Sequence, residues 1–230
     1  MDFRNEFHRR LISEWVISDC DVRGDDVQPQ GFDDTNFQHV SEFDARWFLE
    51  ALDAGHMTET RSVFHTTGHE VKLRIFSHLQ RGPAVRKTTL SLEPIINVGA
   101  VARLIDQYGW PSAQLGQSAR PYPFDLVCFD MGRKQELVVC EVKKSHKEVV
   151  VLMNWMRKFA AIAPLDAIPT NGTEKNAYNK VVGLRKSLPK FFWVLGPAGI
   201  GTTYRLDWQH DGVLLQFEPV PERVLAYSVQ

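Results

Sequence analysis

The stretch FDLVCFDMGRKQELVVCEVKK, residues 124–144, gives the clearest structural signal in this chain. It contains two apolar runs, residues 124–129 and 136–142, and the polar segment between them includes one glycine. Runs rich in valine and aromatic residues on either side of a short polar segment are typical of an antiparallel β-hairpin. The sequence therefore predicts two paired strands here, and both strands carry charged residues among their apolar ones.

The hairpin is predicted to place three charged side chains at one end. A loop that folds back symmetrically about Arg133 gives the pairs Phe129 with Leu137, Val127 with Val139, and Asp125 with Glu141. Residues directly opposite each other in an antiparallel pair have Cβ atoms roughly 4.5–5.5 Å apart, so this register brings two carboxylates together. Lys143 lies two residues after Glu141 and is expected to share its face of the strand.

Two opposed carboxylates beside a lysine predict a divalent-cation site. Hard oxygen ligands without histidine or thiolate favour Mg²⁺ or Mn²⁺ over zinc. Such an ion polarises a phosphoryl oxygen and activates a bound water, while a nearby ammonium group orients that water or stabilises developing negative charge. Asp125 and Glu141 are therefore predicted to be catalytic metal ligands, and Lys143 is predicted to be the catalytic group that assists the water.

The same residues resemble the PD-(D/E)xK nuclease superfamily, which has the restriction-endonuclease-like fold. The family pattern is an aspartate at the start of one strand and then an apolar run that ends in Glu-x-Lys. Pro123-Phe124-Asp125 and the segment VVCEVK, residues 138–143, match this pattern, although Phe124 stands between the proline and the aspartate. The resemblance covers residues 87–195 and implies an α/β fold with a central mixed β-sheet flanked by helices.

The resemblance also implies an acidic residue in a helix that precedes the hairpin. The segment PIINVGAVARLIDQY, residues 94–108, predicts this helix, with proline in its first turn and Gly109 at its end. Glu93, at the helix entrance, is the glutamate available for this role and is expected to be a further catalytic residue. By distance from the closing glycine the family-like position falls nearer Asn97, and Glu93 would also complement the helix dipole.

Charge is distributed unevenly along the chain. Residues 1–85 carry 9 Lys and Arg against 15 Asp and Glu, whereas residues 86–230 carry 18 against 13. We predict an acidic N-terminal α+β region over residues 1–85, packed on a nuclease-like α/β core over residues 86–230 with basic helices and a C-terminal hairpin. A basic surface attracts a polyanion such as nucleic acid, largely without sequence preference.

Two predicted helices, residues 146–163 and 174–188, follow the hairpin and carry many of these cations. Contacts to the nucleic-acid backbone are predicted for Lys144, Lys147, Arg157 and Lys158. On the second helix the lysines predicted to be exposed are Lys175, Lys180 and Lys186. The alternative interpretation is that all these cations form the solvated face of two amphipathic helices.

Composition excludes several classes of protein. The chain has 230 residues, of which 43% are hydrophobic and 24% charged, as in an ordinary globular protein. No apolar run approaches the ~20 residues that span a bilayer, and the N-terminus lacks the apolar core of a secretory signal. We therefore expect a cytoplasmic protein with no membrane partner. Its three cysteines lack metal-ligand spacing and are expected to be buried thiols.

The leading functional prediction is a metal-dependent nuclease that hydrolyses phosphodiester bonds of nucleic acid, with DNA as the expected substrate of an endonuclease. Two rivals remain open at this point. One is a nuclease-fold module that binds nucleic acid without hydrolysing it. The other is a regulatory or scaffold domain that binds a protein partner through the acidic N-terminal region. A homodimer is also left open by the sequence.

Overall fold

The computed structural model of this protein describes residues 2–24, 27–66, 71–78, 86–116, 124–165, 167–209 and 212–228. Its α-helices are α1 (Phe3–Arg10), α2 (Val16–Arg23), α3 (Glu42–Asp53), α4 (Leu92–Ala102), α5 (His146–Ala160) and α6 (Gly172–Ser187). Its strands are β1 (Phe32–Asp33), β2 (Met57–Thr60), β3 (Val63–Thr66), β4 (Lys72–Leu73), β5 (Phe76–His78), β6 (Thr88–Leu90), β7 (Leu115–Gly116), β8 (Leu126–Phe129), β9 (Glu136–Val142), β10 (Phe191–Leu195), β11 (Gly201–Gln209) and β12 (Leu214–Val220). The predicted α/β class is confirmed, with open mixed sheets flanked by helices. Within the described ranges, no helix is both long enough and apolar enough to cross a lipid bilayer.

Contacts divide the chain into two compact units. The first comprises Met1–Arg103 together with Pro197–Gly199, and the second comprises Leu104–Gly196 together with Ile200–Gln230. The sequence predicts a boundary after residue 85, which assigns α4 to the later part of the chain. In the structure α4 clusters with the first unit because it packs along α3.

The first unit contains α1 to α4 and two small sheets, with strand orders β1-β6-β5 and β2-β3-β4. Helix α3 begins after Ser41, as its sequence predicts, and the Ser41 hydroxyl accepts a hydrogen bond of 3.0 Å from the backbone N–H of Asp44. Helix α4 approaches α3 closely at Gly99, where a β-carbon would lie 3.0 Å from Cβ of Trp47. The missing side chain of Gly99 therefore permits the tight packing of these two helices.

The second unit is built on a six-stranded sheet with strand order β12-β11-β10-β9-β8-β7. Neighbouring strands are antiparallel except for β9 and β10, which are parallel. A parallel pair requires a crossover connection, and the chain between β9 and β10 forms α5 and α6. These helices pack on each other and share a hydrophobic core with the sheet, which includes Met156, Phe159, Val181, Leu184 and Phe192.

The predicted hairpin is formed by β8 and β9, and its register is confirmed over most of its length. Leu126 pairs with Cys140, Val127 with Val139, and Cys128 with Val138. The predicted pairing of Phe129 with Leu137 is wrong, because a register shift after Cys128 pairs Phe129 with Glu136 instead. The turn explains this shift: a carboxylate oxygen of Asp130 accepts hydrogen bonds from two backbone N–H groups, of Lys134 at 2.6 Å and of Gln135 at 3.2 Å.

The contact at Gly99 predicts a stability effect. Gly99→Val would press a branched side chain against the backbone-proximal atoms of Trp47, so we expect the free energy of unfolding to fall by about 1–3 kcal/mol. The matched control is Gly172→Val, because a β-carbon at Gly172 meets no atom within 4 Å. Urea unfolding followed by circular dichroism would measure both variants. Equal unfolding midpoints for the two variants would contradict the proposed close packing.

Candidate active site

Three of the predicted site residues come together at the open end of the β8–β9 hairpin. Asp125 directly precedes β8, Glu141 lies on β9, and Lys143 follows β9. The backbone N–H of Asp125 donates a hydrogen bond of 3.0 Å to the carbonyl of Cys140, which is also the partner of Leu126. The ladder begins at Leu126 and does not include the predicted pair of Asp125 with Glu141. The Lys143 ammonium lies 2.7 Å from Oε1 of Glu141. The hairpin thus gathers the aspartate, glutamate and lysine of the predicted motif, whose Pro123 lies outside the described residues.

Asp125 is held by the backbone of the neighbouring strand. Its Oδ2 accepts a hydrogen bond of 2.7 Å from the N–H of Val142, whereas its Oδ1 accepts none from the described residues. Burial, and then repulsion by the Glu141 carboxylate, raise the pKa of Asp125 to about 7. The Val142 N–H and the ammonium groups of Lys180 and Lys143 act in the opposite direction on this pKa. The Asp125 carboxyl therefore exchanges its proton near neutral pH.

Glu141 is the most deeply buried acidic group of the site, since its side chain is only 2% exposed. Both of its oxygens are paired with ammonium groups. Oε1 faces Lys143, and Oε2 accepts a hydrogen bond from Nζ of Lys180, which reaches it from α6. A buried carboxylate requires such partners because the loss of its hydration costs several kcal/mol.

The position of Lys180 corrects a prediction. The sequence predicts an exposed lysine on α6, but the structure buries this side chain to 4% exposure against Glu141. Lys175 and Lys186 of the same helix are exposed as predicted. A signal was present in the helical spacing, because Lys180 follows the buried Ala177 by three residues and precedes the buried Leu184 by four. This spacing places Lys180 beside the apolar face of α6.

Lys143 differs from Lys180 in exposure. Its side chain is 16% exposed, and its Nζ donates a hydrogen bond of 2.9 Å to the carbonyl of its neighbour Val142 in addition to its ion pair with Glu141. Lys143 is therefore the more accessible of the two ammonium groups that contact Glu141.

The predicted nucleic-acid contacts lie at the two ends of α5, and all four side chains are exposed. Lys144 and Lys147 are at its beginning, with the Lys144 ammonium 3.6 Å from the carboxylate of Glu148. Arg157 and Lys158 are at its end, roughly 15 Å further along the helix. Arg157 donates a hydrogen bond of 3.2 Å to the Tyr204 hydroxyl, and the Lys158 ammonium lies 4.6 Å from the ring centre of Trp155.

Glu93 and Asn97 both lie on α4 of the first unit. Glu93 is in the first turn and is partly buried, as expected for a residue at the helix entrance. Asn97 is 3% exposed, and its Oδ1 has no hydrogen-bond partner among the described residues. The participation of Glu93 or Asn97 in the site stays a prediction.

Asp125 and Glu141 are the residues of this site that could hold a hard divalent cation. Asp125 and Glu141 offer oxygen ligands, which Mg²⁺ and Mn²⁺ prefer, and each carboxylate oxygen can accept from more than one partner. In the part of the chain that the structure describes, no cluster of three or more His, Cys, Asp or Glu side chains could hold a metal ion. The candidate centre is therefore a two-carboxylate site in which two lysines supply the opposing charge.

Comparisons with protein-family models, with curated proteins and with solved structures found no match for this chain. The geometry of the hairpin end is therefore what supports a functional interpretation.

The raised pKa of Asp125 predicts a pH-dependent gain of stability in Asp125→Asn. The folded pKa of about 7 lies above the ordinary 3.8, so the folded chain binds this proton more tightly than the unfolded chain does. Ionisation of Asp125 therefore costs stability progressively as pH rises from about 4 to about 7. Asparagine removes this cost and can still accept the Val142 N–H. We expect the stability advantage of Asp125→Asn to grow by more than about 1.4 kcal/mol, equivalent to one pKa unit, between pH 5 and pH 8.

Thermal and urea unfolding in EDTA at both pH values would measure this difference. A difference between the wild type and Asp125→Asn that does not change with pH would contradict the assigned environment of Asp125.

Proposed function

We propose that this protein is a metal-dependent nuclease that hydrolyses phosphodiester bonds of DNA, and that its second unit is a restriction-endonuclease-like core. The observation that carries the proposal is the end of the β8–β9 hairpin, where the Val142 N–H binds the Asp125 carboxylate close enough to Glu141 for the two acidic groups to repel each other, and where Lys143 contacts the same glutamate. Two carboxylates and an accessible lysine at one end of a hairpin are groups that can support metal-assisted phosphodiester hydrolysis.

The residues of the site have separable roles in this proposal. Asp125 and Glu141 would hold Mg²⁺ or Mn²⁺, and when bound such a cation polarises a phosphoryl oxygen and lowers the pKa of a water ligand. The Lys143 ammonium, at 16% side-chain exposure, is placed to orient the attacking water or to stabilise negative charge on the phosphoryl oxygens. Lys180, at 4% exposure, is shielded from a substrate.

Exposed cations support a nucleic acid as the substrate. Lys144 and Lys147 follow the hairpin directly, so they lie next to the candidate site in sequence, and Arg157 and Lys158 extend the basic surface to the far end of α5. Cations spread along one helix suit the phosphate backbone, whose charges repeat at short intervals, and they provide affinity without base recognition.

Cleavage of DNA by the purified full chain tests this function. Supercoiled, linear and single-stranded DNA would each be incubated with Mg²⁺, with Mn²⁺ or with EDTA. We expect cleavage that requires the metal and that falls at least about 100-fold in Lys143→Ala, because an electrostatic contribution to the transition state is lost. Lys175→Ala, an exposed lysine on α6, is the matched control and should keep wild-type activity. Cleavage that persists in EDTA or in Lys143→Ala would refute the proposed chemistry.

The exposed cations of α5 lead to a prediction about the salt dependence of DNA binding. The double variant Lys147→Ala/Lys158→Ala should bind a DNA duplex more weakly, because each exposed lysine that neutralises a phosphate releases a counterion. Affinity falls as salt concentration rises, so the slope of log affinity against log salt concentration is negative. The magnitude of this slope should be smaller by about one for each lysine removed. Fluorescence anisotropy at several salt concentrations measures this slope. Lys72→Ala, an exposed lysine in the acidic first unit, serves as the control. An unchanged slope in the double variant would argue against this surface.

A second candidate function is nucleic-acid binding without hydrolysis. The observation that favours it is the complete pairing of Glu141, both of whose oxygens already face ammonium groups. A carboxylate neutralised in this way satisfies its charge without a metal ion. DNA binding that is equal in EDTA and in Mg²⁺, with no cleavage by the wild type or by Lys143→Ala, would favour this function over the nuclease.

A further inference from the structure

Lys180 brings a second positive charge into the interior of the candidate site. It lies on the face of α6 that also carries Ala177, Val181 and Leu184, which belong to the hydrophobic core of the second unit. Its side chain is 4% exposed. A lysine is almost never buried to this extent unless it is paired, because its ammonium loses hydration. The apolar surroundings alone would favour a leucine or methionine here, so the ammonium requires its own explanation.

Lys180 contacts the Glu141 carboxylate and acts electrostatically on Asp125, whose pKa it lowers. Its Nζ donates a hydrogen bond to Oε2 of Glu141, while Lys143 lies 2.7 Å from the other oxygen of the same carboxylate. The Lys180 ammonium also lies 5.4 Å from the ring centre of Phe124, the residue directly before Asp125. Lys180 is thus fixed by packing next to the two groups that would hold a cation.

The formal charges of this cluster cancel. Asp125 and Glu141 contribute two negative charges when both are ionised, and Lys143 and Lys180 contribute two positive charges. A divalent cation would add two more positive charges to a partly buried site, where electrostatic interactions are stronger than in water. Lys143 is partly exposed and can turn toward solvent or substrate, but Lys180 is enclosed by the core and stays close to the carboxylates.

We propose that Lys180 is an internal counter-ion that weakens the binding of a divalent cation to the free protein, so that the cation binds together with the nucleic acid. A phosphodiester brought into the site supplies the negative charge that the balanced cluster lacks. Lys180 is a positioning residue in this account, because it acts through Glu141 and is shielded from substrate. The inference rests on the proposed function, in which Asp125 and Glu141 hold the cation.

Mn²⁺ binding to the full chain, measured by electron paramagnetic resonance of the free ion, tests this role independently of activity. We expect Lys180→Met to bind Mn²⁺ at least about tenfold more tightly than the wild type in the absence of nucleic acid, because a repulsive charge is removed. Lys180→Arg, which keeps the charge, and Lys175→Met, which removes an exposed lysine from the same helix, should both retain wild-type affinity. Lys180→Gln repeats the neutral substitution if circular dichroism shows that Lys180→Met does not fold.

The same titration with a short DNA duplex present completes the test. The duplex should tighten Mn²⁺ binding to the wild type by at least about tenfold. It should tighten binding to Lys180→Met less, because the variant lacks the positive charge that the phosphates offset. A neutral variant that folds but binds Mn²⁺ no more tightly than the wild type overturns the inference, as does the absence of Mn²⁺ binding in both proteins. A wild type that shows the expected Mn²⁺ behaviour but cuts no DNA refutes the nuclease and leaves the counter-ion role of Lys180 intact.

Discussion

The burial of the Glu141 carboxylate is the constraint on which the second unit depends. This side chain belongs to β9, an interior strand of the six-stranded sheet, and its neighbours on that strand are apolar. A charge in such a place must be compensated within the fold, because removal of one partner from a buried ion pair costs about 3–5 kcal/mol. Lys143 provides part of the compensation from the same chain segment, and Lys180 provides the rest from α6. The ion pair therefore fixes the position of a crossover helix relative to the strand, in addition to the apolar contacts between them.

The two carboxylates of the site have different hydrogen-bond and ion-pair partners. Glu141 is paired directly with ammonium groups, whereas the main hydrogen bond to Asp125 comes from the backbone N–H of Val142. The partial burial of Asp125 and the charge of Glu141 then raise the pKa of Asp125 toward neutrality. Groups with perturbed pKa values cluster at functional sites because chemistry requires groups that change protonation near the working pH. One carboxylate paired with ammonium groups beside another whose pKa is raised makes the hairpin end a candidate functional site.

Local patterns in the sequence predict the β8–β9 hairpin. They do not predict which side chains of α6 pack against it. Alternating apolar residues and a single polar loop predict the pairing of Val127 with Val139, which is correct, but they do not reveal the shift at Phe129, because hydrogen bonds to the Asp130 side chain determine it. Helical spacing places Lys180 beside the apolar face of α6, but its ion-pair partner Glu141 lies 39 residues earlier in the chain, which no local pattern identifies. Composition likewise predicts a boundary after residue 85, whereas the close packing of α4 on α3 at Gly99 is a tertiary property.

The parallel pairing of β9 with β10 has a consequence for the order in which the chain folds. The β8–β9 hairpin joins residues close in sequence and can form early, whereas β10 reaches its place only after the whole crossover through α5 and α6 has closed, and contacts between distant residues form slowly. The ion pair of Glu141 with Lys143 can therefore form as soon as β9 forms. The ion pair of Glu141 with Lys180 forms only when α6 packs on the sheet. During that interval the strand carries an incompletely neutralised carboxylate at a position that later becomes buried. Docking of α6 is consequently expected late in folding, together with the final exclusion of water from the sheet.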